Sequence, residues 1–294
     1  MKRLSVLVFA LSTAIGMAAC GTHTKSVKFS TTKFAGAEAI SVADQARLDA
    51  NCPDGAPKPL PDWPIGKTEM IFRDGFVLEH SSEWKVPYWV CESLDDADLH
   101  GGVPRKNNFR ADDKLTVGLR AELSDYKGSG FDRGHQAPAG NQTKSVTLKD
   151  ETFVLSNMIP QNGNQNQQIW ATLEDTVRGW AEQSSTATSV RVITGPVFHT
   201  DKDLEQGFSE IDTVGTNNVG VPKAVYKIVV GTVGGERRAV AFLIDNTAQK
   251  KPFDFTKFIV TIQSIEEHTG FNFMPKLDPA DRVKLETQKG TLFK

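Results

Sequence analysis

The sequence predicts a single α+β domain with a central, mainly antiparallel sheet flanked by helices, and three observations predict it. Short apolar runs of strand type recur from Met70 to Asp245 without the regular strand-helix-strand spacing of a doubly wound parallel sheet. Two stretches, Asn166 to Gln183 and Phe255 to His268, place apolar residues at helical spacing, as helices packed on a sheet require. No internal repeat or low-complexity tract interrupts this pattern. With 294 residues, 39% hydrophobic and 24% charged, the composition excludes a disordered chain, a collagen-like fibre and a polytopic membrane protein. The formal net charge of −2 runs against a nucleic-acid partner, since proteins that hold phosphate backbones ordinarily carry a basic excess.

Residues 1–19 read as a signal peptide of the lipoprotein type. Lys2 and Arg3 precede an apolar run, Leu4 to Met17, that is shorter than the roughly 20 residues a bilayer span needs. The segment ends in Met17-Ala18-Ala19-Cys20-Gly21, which resembles a bacterial lipobox with Cys20 as the lipidated first residue of the mature chain. Simple cleavage near Ala19 and an uncut N-terminal anchor are the other readings. A lipid anchor implies membrane attachment and a bacterial cell-envelope location, at the outer membrane by the Gly that follows Cys20, or else periplasmic or extracellular. Loss of residues 1–19 reduces 34 basic residues to 32 against 36 acidic ones, a net charge of −4. Cys52 and Cys91 are then an even pair in a compartment where disulfides persist, and they are expected to be bridged. Two buried free thiols are the alternative. No Cys/His cluster suggests zinc.

Residues 20–60 read as a lipidated tether, rich in Thr, Ser, Ala and Lys and ending in Pro53, Pro57, Pro59 and Pro61, with one helical hint from Ala37 to Leu48. The folded domain is expected over 61–294. Met70 to Leu78 contains Asp74-Gly75, a hairpin signal between apolar residues, and Val86 to Val90 is a further strand. Residues 100–130 are polar and charged, a long surface excursion of the kind that carries function. In the helix Asn166 to Gln183, Ile169, Leu173, Val177 and Trp180 form the apolar stripe. Ser189 to Val197, Ala224 to Val233 and Arg237 to Asp245 are strands, with Gly234-Gly235 turning between the last two, and the helix Phe255 to His268 ends at Gly270.

Chemistry concentrates in Phe131-Asp132-Arg133-Gly134-His135-Gln136-Ala137-Pro138, then Leu155-Ser156-Asn157-Met158-Ile159-Pro160-Gln161, then Asn166-Gln167-Gln168-Ile169-Trp170-Ala171-Thr172-Leu173-Glu174. Of six histidines, His135 alone sits in a dense polar cluster, where it can serve as a general base near neutral pH. The planar fork of Arg133 can hold an anion. Asn166, Trp170 and Glu174 follow each other at four-residue intervals along one helix face, and an amide oxygen with a carboxylate suits a hard cation such as magnesium, which keeps most of its waters. Each residue also has a structural reading: a core histidine, an N-cap at Asn166, and a Glu174 to Arg178 pair one turn apart.

Together the three motifs resemble the DNA/RNA non-specific endonucleases of the ββα-metal superfamily, the group that includes endonuclease G. The resemblance runs from Trp89 to Phe273 and takes in Tyr126-Lys127-Gly128-Ser129-Gly130, Thr194-Gly195-Pro196, Val221-Pro222 through Tyr226-Lys227, and Glu267 with Thr269-Gly270. It implies a ββα-metal motif within the domain and hydrolysis of both DNA and RNA. It implies His135 as the general base that activates water, Asn166 as the direct protein ligand of a hydrated Mg²⁺ (Mn²⁺ being the alternative ion), and Glu174 as the acid that hydrogen-bonds the ion's waters. Asn157 is placed near the histidine and a metal water, Arg133 on the phosphate-binding side, and Asp132 as an orienter of the loop. An upstream arginine that stabilises the transition state falls in Arg105 to Arg110, with Arg105 first and Arg110 second. Some relatives are homodimers. A lipoprotein that keeps the fold but binds nucleic acid or a partner protein without cutting is the alternative function, and the intact catalytic positions count against it. The resemblance also recasts the charge count: Arg105, Lys106, Arg110, Lys114, Arg120, Lys127 and Arg133 lead into the signature, so a local basic patch with weak, salt-sensitive binding is expected.

Overall fold

The computed structural model describes residues 40–61, 63–183, 190–206, 208 and 210–293. The expectations for residues 1–19, for Cys20 and for the tether up to residue 39 lie outside them. From the amino end come α1 (Val42–Asn51), β1 (Lys58–Pro59), β2 (Thr68–Phe72), β3 (Val77–Ser81), β4 (Pro87–Leu94) and α2 (Asp96–Leu99). The middle of the chain forms α3 (Leu123–Tyr126), β5 (Phe131–His135), α4 (Val146–Glu151), β6 (Met158–Asn162), a π-helical segment Gln165–Trp170 leading into α5 (Ala171–Gln183), and β7 (Val190–Val197). Then follow α6 (Asp201–Gln206), β8 (Thr213–Val214), β9 (Val219–Gly220), β10 (Ala224–Val233), β11 (Glu236–Asp245), β12 (Ile259–Val260), α7 (Ile262–Thr269), β13 (Phe271–Asn272) and α8 (Pro279–Thr287).

Seven strands make one antiparallel sheet in the order β12-β11-β10-β7-β4-β3-β2. Alternation along these strands sends side chains to two different apolar clusters. Val192, Val225, Val229, Val240 and Phe242 gather with Ile169, Leu173 and Val177 on the α5 face. Ile193, Tyr226, Ile228 and Ala241 gather with Leu48 of α1 and Ile262 and Ile265 of α7 on the other. The result is three layers, with both faces of the sheet buried. Among the described residues no helix is long and apolar enough to cross a membrane.

Two boundaries differ from the sequence reading. The folded body already includes residues upstream of 61: Ser41 caps α1 by accepting from the Asp44 N–H, Leu48 is buried, and β1 pairs with β13. The Cys52–Cys91 disulfide ties the end of α1 to β4 with Cα atoms 5.6 Å apart. The run Phe255 to His268 is not one helix. Phe255–Phe258 is a 3₁₀ turn, Ile259–Val260 pairs onto β11, and α7 starts only where Thr261 Oγ1 accepts the Ser264 N–H. The β-branched sequence Ile259-Val260-Thr261 favours the strand and the cap over helix interior.

The excursion expected over 100–130 is irregular over 100–122 and then forms α3, and buried charge holds the irregular part to the body. Arg73, in the turn between β2 and β3, donates to both carboxylate oxygens of Asp112 at 2.8 Å and to Glu151 at 2.9 Å, and Ser156 Oγ donates to Asp112 as well. Lys149 donates to the Val103 carbonyl, and Arg110 bridges to Val154. These contacts set residues 103–110 beside β5 and β6.

Burial also makes stability depend on pH. His80 on β3 is fully buried, and burial depresses its imidazole pKa from 6.5 to about 4. The unfolded chain therefore takes a proton near pH 6.5 that the folded chain refuses until about pH 4, so stability present above pH 6.5 is lost as the pH falls. Between pH 7.5 and 5 the wild type should lose about 2 kcal/mol more than a His80→Leu variant, from 1.36 kcal/mol per pH unit. Urea unfolding at the two pH values measures this; equal losses in both proteins would contradict it.

Candidate active site

On the α5 side of the molecule a cavity of about 970 Å³ opens between the 105–109 segment, β5, and the start of α5. Its chemistry comes from Arg105, Asp132, Arg133, His135, Asn166, Glu174 and Arg178. β5 and β6 pair antiparallel with His135 opposite Met158, and the π segment with α5 follows directly, so two strands and a helix form one local unit.

His135 ends β5 and is 9% exposed. Its ring lies edge-on to Phe153, with centroids 5.0 Å apart, and to Phe109 at 5.5 Å, while Nε2 is buried without a hydrogen-bond partner. Each of these phenyl rings carries an arginine: the Arg133 guanidinium carbon is 4.0 Å from the Phe109 centroid and that of Arg105 is 5.0 Å from Phe153. Burial first, then the charges of Arg105 and Arg133, push the imidazole pKa down to about 3. The ring is a free base throughout the neutral range.

Asn166 is placed by Asp132. One carboxylate oxygen, Asp132 Oδ2, accepts from Asn166 Nδ2 and from Gln167 Nε2, both at 2.8 Å. With the amide NH₂ so held, the amide oxygen is the acceptor left for the cavity. The helix is not regular here: the π turn at Gln165–Trp170 shifts the face, so Gln167, Ala171, Glu174 and Arg178 line the cavity with Asn166. Trp170, expected on that face, is instead 1% exposed in the core. Burial raises the Glu174 pKa, and the charges of Lys227 and Arg178 oppose it. Arg178 makes its contacts with Asp175 and with Asn141 Oδ1 at 3.0 Å, so it is not a simple helix pair of Glu174.

Two assignments change. Asn157 does not reach the cavity. It is fully buried, its Oδ1 accepts from the Ala137 N–H, and its Nδ2 donates to the Ala137 and Thr152 carbonyls, all at 2.9 Å. Both of its N–H donors and one of the two acceptor sites of Oδ1 clamp backbone groups of Ala137, two residues beyond His135, and of Thr152. The seven-cation patch is also smaller than the sequence suggests. Arg110 donates to the Asp150 carbonyl, Lys114 to the Phe72 carbonyl, and Arg120 to the Asp112 and Leu115 carbonyls. Of the seven, Arg105, Lys127 and Arg133 line the cavity. Of the two upstream arginines, Arg105 faces the cavity and Arg110 is turned into the loop.

Phe109 and Phe153, whose rings meet the His135 ring edge-on, and the buried Glu92 were not singled out from sequence, and Lys227 was quoted in the Tyr226-Lys227 motif without a role. Glu92 and Lys227 had a signal: charged residues inside strands that are otherwise apolar.

Asn157→Ala removes three hydrogen bonds and leaves buried backbone groups unpaired, a loss of about 3 kcal/mol at roughly 1 kcal/mol each. Urea unfolding reads this, and a loss below about 1 kcal/mol would show that the clamp contributes little.

The DNA/RNA non-specific endonuclease family matches residues 62–280. The chain is similar to a nuclease of Syncephalastrum racemosum, 37% identical over 223 residues, covering 72% of this chain and 69% of that protein. It is also similar to human mitochondrial endonuclease G, 33% identical over 215 residues, covering 72% and 71%. Its fold superposes on a crystal structure of the EndoG/EndoGI complex with a TM-score of 0.69 and 30% identity, covering 79% of this chain and 93% of that one. With that family match spanning most of the folded body, and with the identity to these nucleases, the chain belongs to the DNA/RNA non-specific endonuclease family.

Proposed function

We propose that this nuclease hydrolyses DNA and RNA alike by a divalent-metal-assisted mechanism in which His135 is the general base. The observation that carries the reading is an imidazole kept neutral between two guanidiniums, in one cavity with an oriented amide oxygen and a carboxylate.

The donor set fits a hard, hydrated cation. The Asn166 amide oxygen is freed for it by Asp132, and Glu174 adds a second oxygen group in the cavity. When bound there, Mg²⁺, or Mn²⁺ in its place, supplies Lewis-acid stabilisation of charge on the phosphate and on the departing 3′ oxygen.

The rest is the work of the chain's own groups. Arg105 and Arg133, parked on Phe153 and Phe109, present planar forks to phosphate oxygens at the mouth of the site. An imidazole with a pKa near 3 is a weak base, held there first by burial and then by the two arginines. A phosphodiester against the guanidiniums cancels the arginines' part of that shift and raises the proton affinity of His135 when substrate is present. His135 then takes a proton from water, the hydroxide oxygen attacks phosphorus as the bond from phosphorus to the 3′ oxygen breaks, the 3′ oxygen leaves and is protonated by solvent water, and the arginines stabilise the added negative charge.

Attachment to a bacterial envelope through a lipidated Cys20 is part of the proposal and is supported by the apolar run Leu4 to Met17 and by Met17-Ala18-Ala19-Cys20-Gly21. In a bacterial host, Cys20→Ala should move the protein from the membrane fraction to the soluble fraction on ultracentrifugation. An unchanged distribution would count against the anchor.

His135→Ala, or EDTA added to the wild type, should abolish cleavage of plasmid DNA and of RNA. Arg105→Ala should lower kcat by about 10²–10³, the scale for loss of one donor to a transition-state oxyanion, while Arg110→Ala stays within about threefold, its contacts being structural. Full activity of His135→Ala, or binding of DNA by wild type without cutting, would refute the proposal.

A further inference from the structure

Behind the cavity, between α5 and the sheet, two buried charged groups have no part in the roles above. Lys227 lies in β10 and is 1% exposed. Its Nζ donates to Thr194 Oγ1 at 2.8 Å and sits 4.9 Å from the Trp170 ring centroid. The register sets Lys227 opposite Thr194 on β7, and Thr194 opposite Val90 on β4. Directly paired residues share a face and so do residues two apart, so Lys227, Thr194 and Glu92 all project toward α5. Glu92 is 1% exposed; Asn141 Nδ2 donates to its Oε1 at 2.8 Å, and its Oε2 has no partner. Asn141 Oδ1 in turn accepts from Arg178 on α5.

An ammonium in an apolar strand is expensive to bury, and it persists where opposite charge surrounds it. Burial works against the charged form of Lys227, while Glu174 first and Glu92 second work for it. In the reverse sense, Lys227 is the strongest positive influence on Glu174, ahead of Arg178. Lys227 is thus the cation that acts on both carboxyl groups, and the outer one, Glu174, lines the cavity.

We propose that Lys227 is a positioning residue whose buried ammonium, fixed by Thr194 and by the Trp170 ring, offsets Glu92 and keeps the Glu174 carboxylate in place for the divalent cation. The inference rests on the reading of Asn166 and Glu174 as the cation's site. Lys227→Met removes the cation that opposes the burial cost of both carboxyl groups. The double variant Glu92→Gln/Lys227→Met removes Glu92 together with its counter-charge, and a lysine needed only for packing would not be rescued in this way.

Binding of Mn²⁺ to the full protein, followed by the electron paramagnetic resonance signal of free Mn²⁺, reads the effect without turnover; plasmid cleavage on the same preparations gives kcat and KM. Lys227→Met should weaken Mn²⁺ binding by about tenfold or more, the scale for residues that support metal-site groups from behind, with the KM for DNA within about threefold of wild type. The double variant should recover Mn²⁺ binding to within about threefold of wild type. Wild-type affinity in Lys227→Met, or a double variant as weak as the single one, overturns the proposal. If Lys227→Met alone fails to fold, the double variant decides: folded with near wild-type Mn²⁺ affinity supports the proposal, and any other result overturns it. Wild-type protein that neither binds Mn²⁺ nor cuts plasmid would refute the nuclease mechanism as a whole, whereas normal wild-type cleavage beside an unaffected Lys227→Met refutes this inference alone.

Discussion

A methyl group on Gly134 would overlap the Gln161 side chain, so β5 can press onto β6 only because position 134 has no Cβ. That contact fixes where His135 stands. Gly134 pairs with Ile159, His135 with Met158, and the Asn157 clamp on Ala137 closes the same junction from the far side. The segment after β6 then enters the π turn, and Asp132, on the opposite strand, reaches across to hold Asn166 and Gln167. One strand therefore carries both His135 and Asp132, the group that orients the Asn166 amide. A shift of β5 against β6 by one residue would turn His135 away and release Asn166 together.

Around that junction, charge is arranged in two shells of opposite purpose. Facing the cavity, Arg105 and Arg133 lie against aromatic rings, which hold the guanidiniums without neutralising them and leave His135 as the uncharged member. Behind it, Glu92 and Lys227 are buried under Glu174, which lines the cavity floor. In the proposed mechanism the outer shell responds to a phosphate and the inner one stays constant when it arrives. Further out, the Arg73 to Asp112 pair keeps the 105–110 segment in register with both.

The sequence made the site's centre legible because its residues are contiguous: Asp132 to His135 and Asn166 to Glu174 are each one short segment, and the strands of the sheet follow plain alternation. What escaped depends on distant partners. Nothing local distinguishes Asn157 from a ligand; only the Ala137 and Thr152 backbones, which absorb its amide, make it structural. Arg110, Lys114 and Arg120 look like substrate-binding cations until their carbonyl partners are known. The helix face was misjudged at Trp170 because regular α spacing was assumed where a π turn inserts extra rotation. The run after Phe255 failed similarly: strand pairing with β11 overrode its helical periodicity.

Net charge is the last point at which average and local descriptions part. A formal charge of −2 over the whole chain is compatible with a polyanionic substrate because affinity is set near the contact, within a Debye length of about 8 Å at physiological salt. Within the cavity Arg105, Lys127, Arg133 and Arg178 face Asp132 and Glu174, four positive groups against two negative ones. The remaining acidic surface opposes long-range accumulation on nucleic acid. An enzyme that must leave one phosphodiester to reach the next gains from that division: strong attraction where bond cleavage occurs, and weak attraction elsewhere.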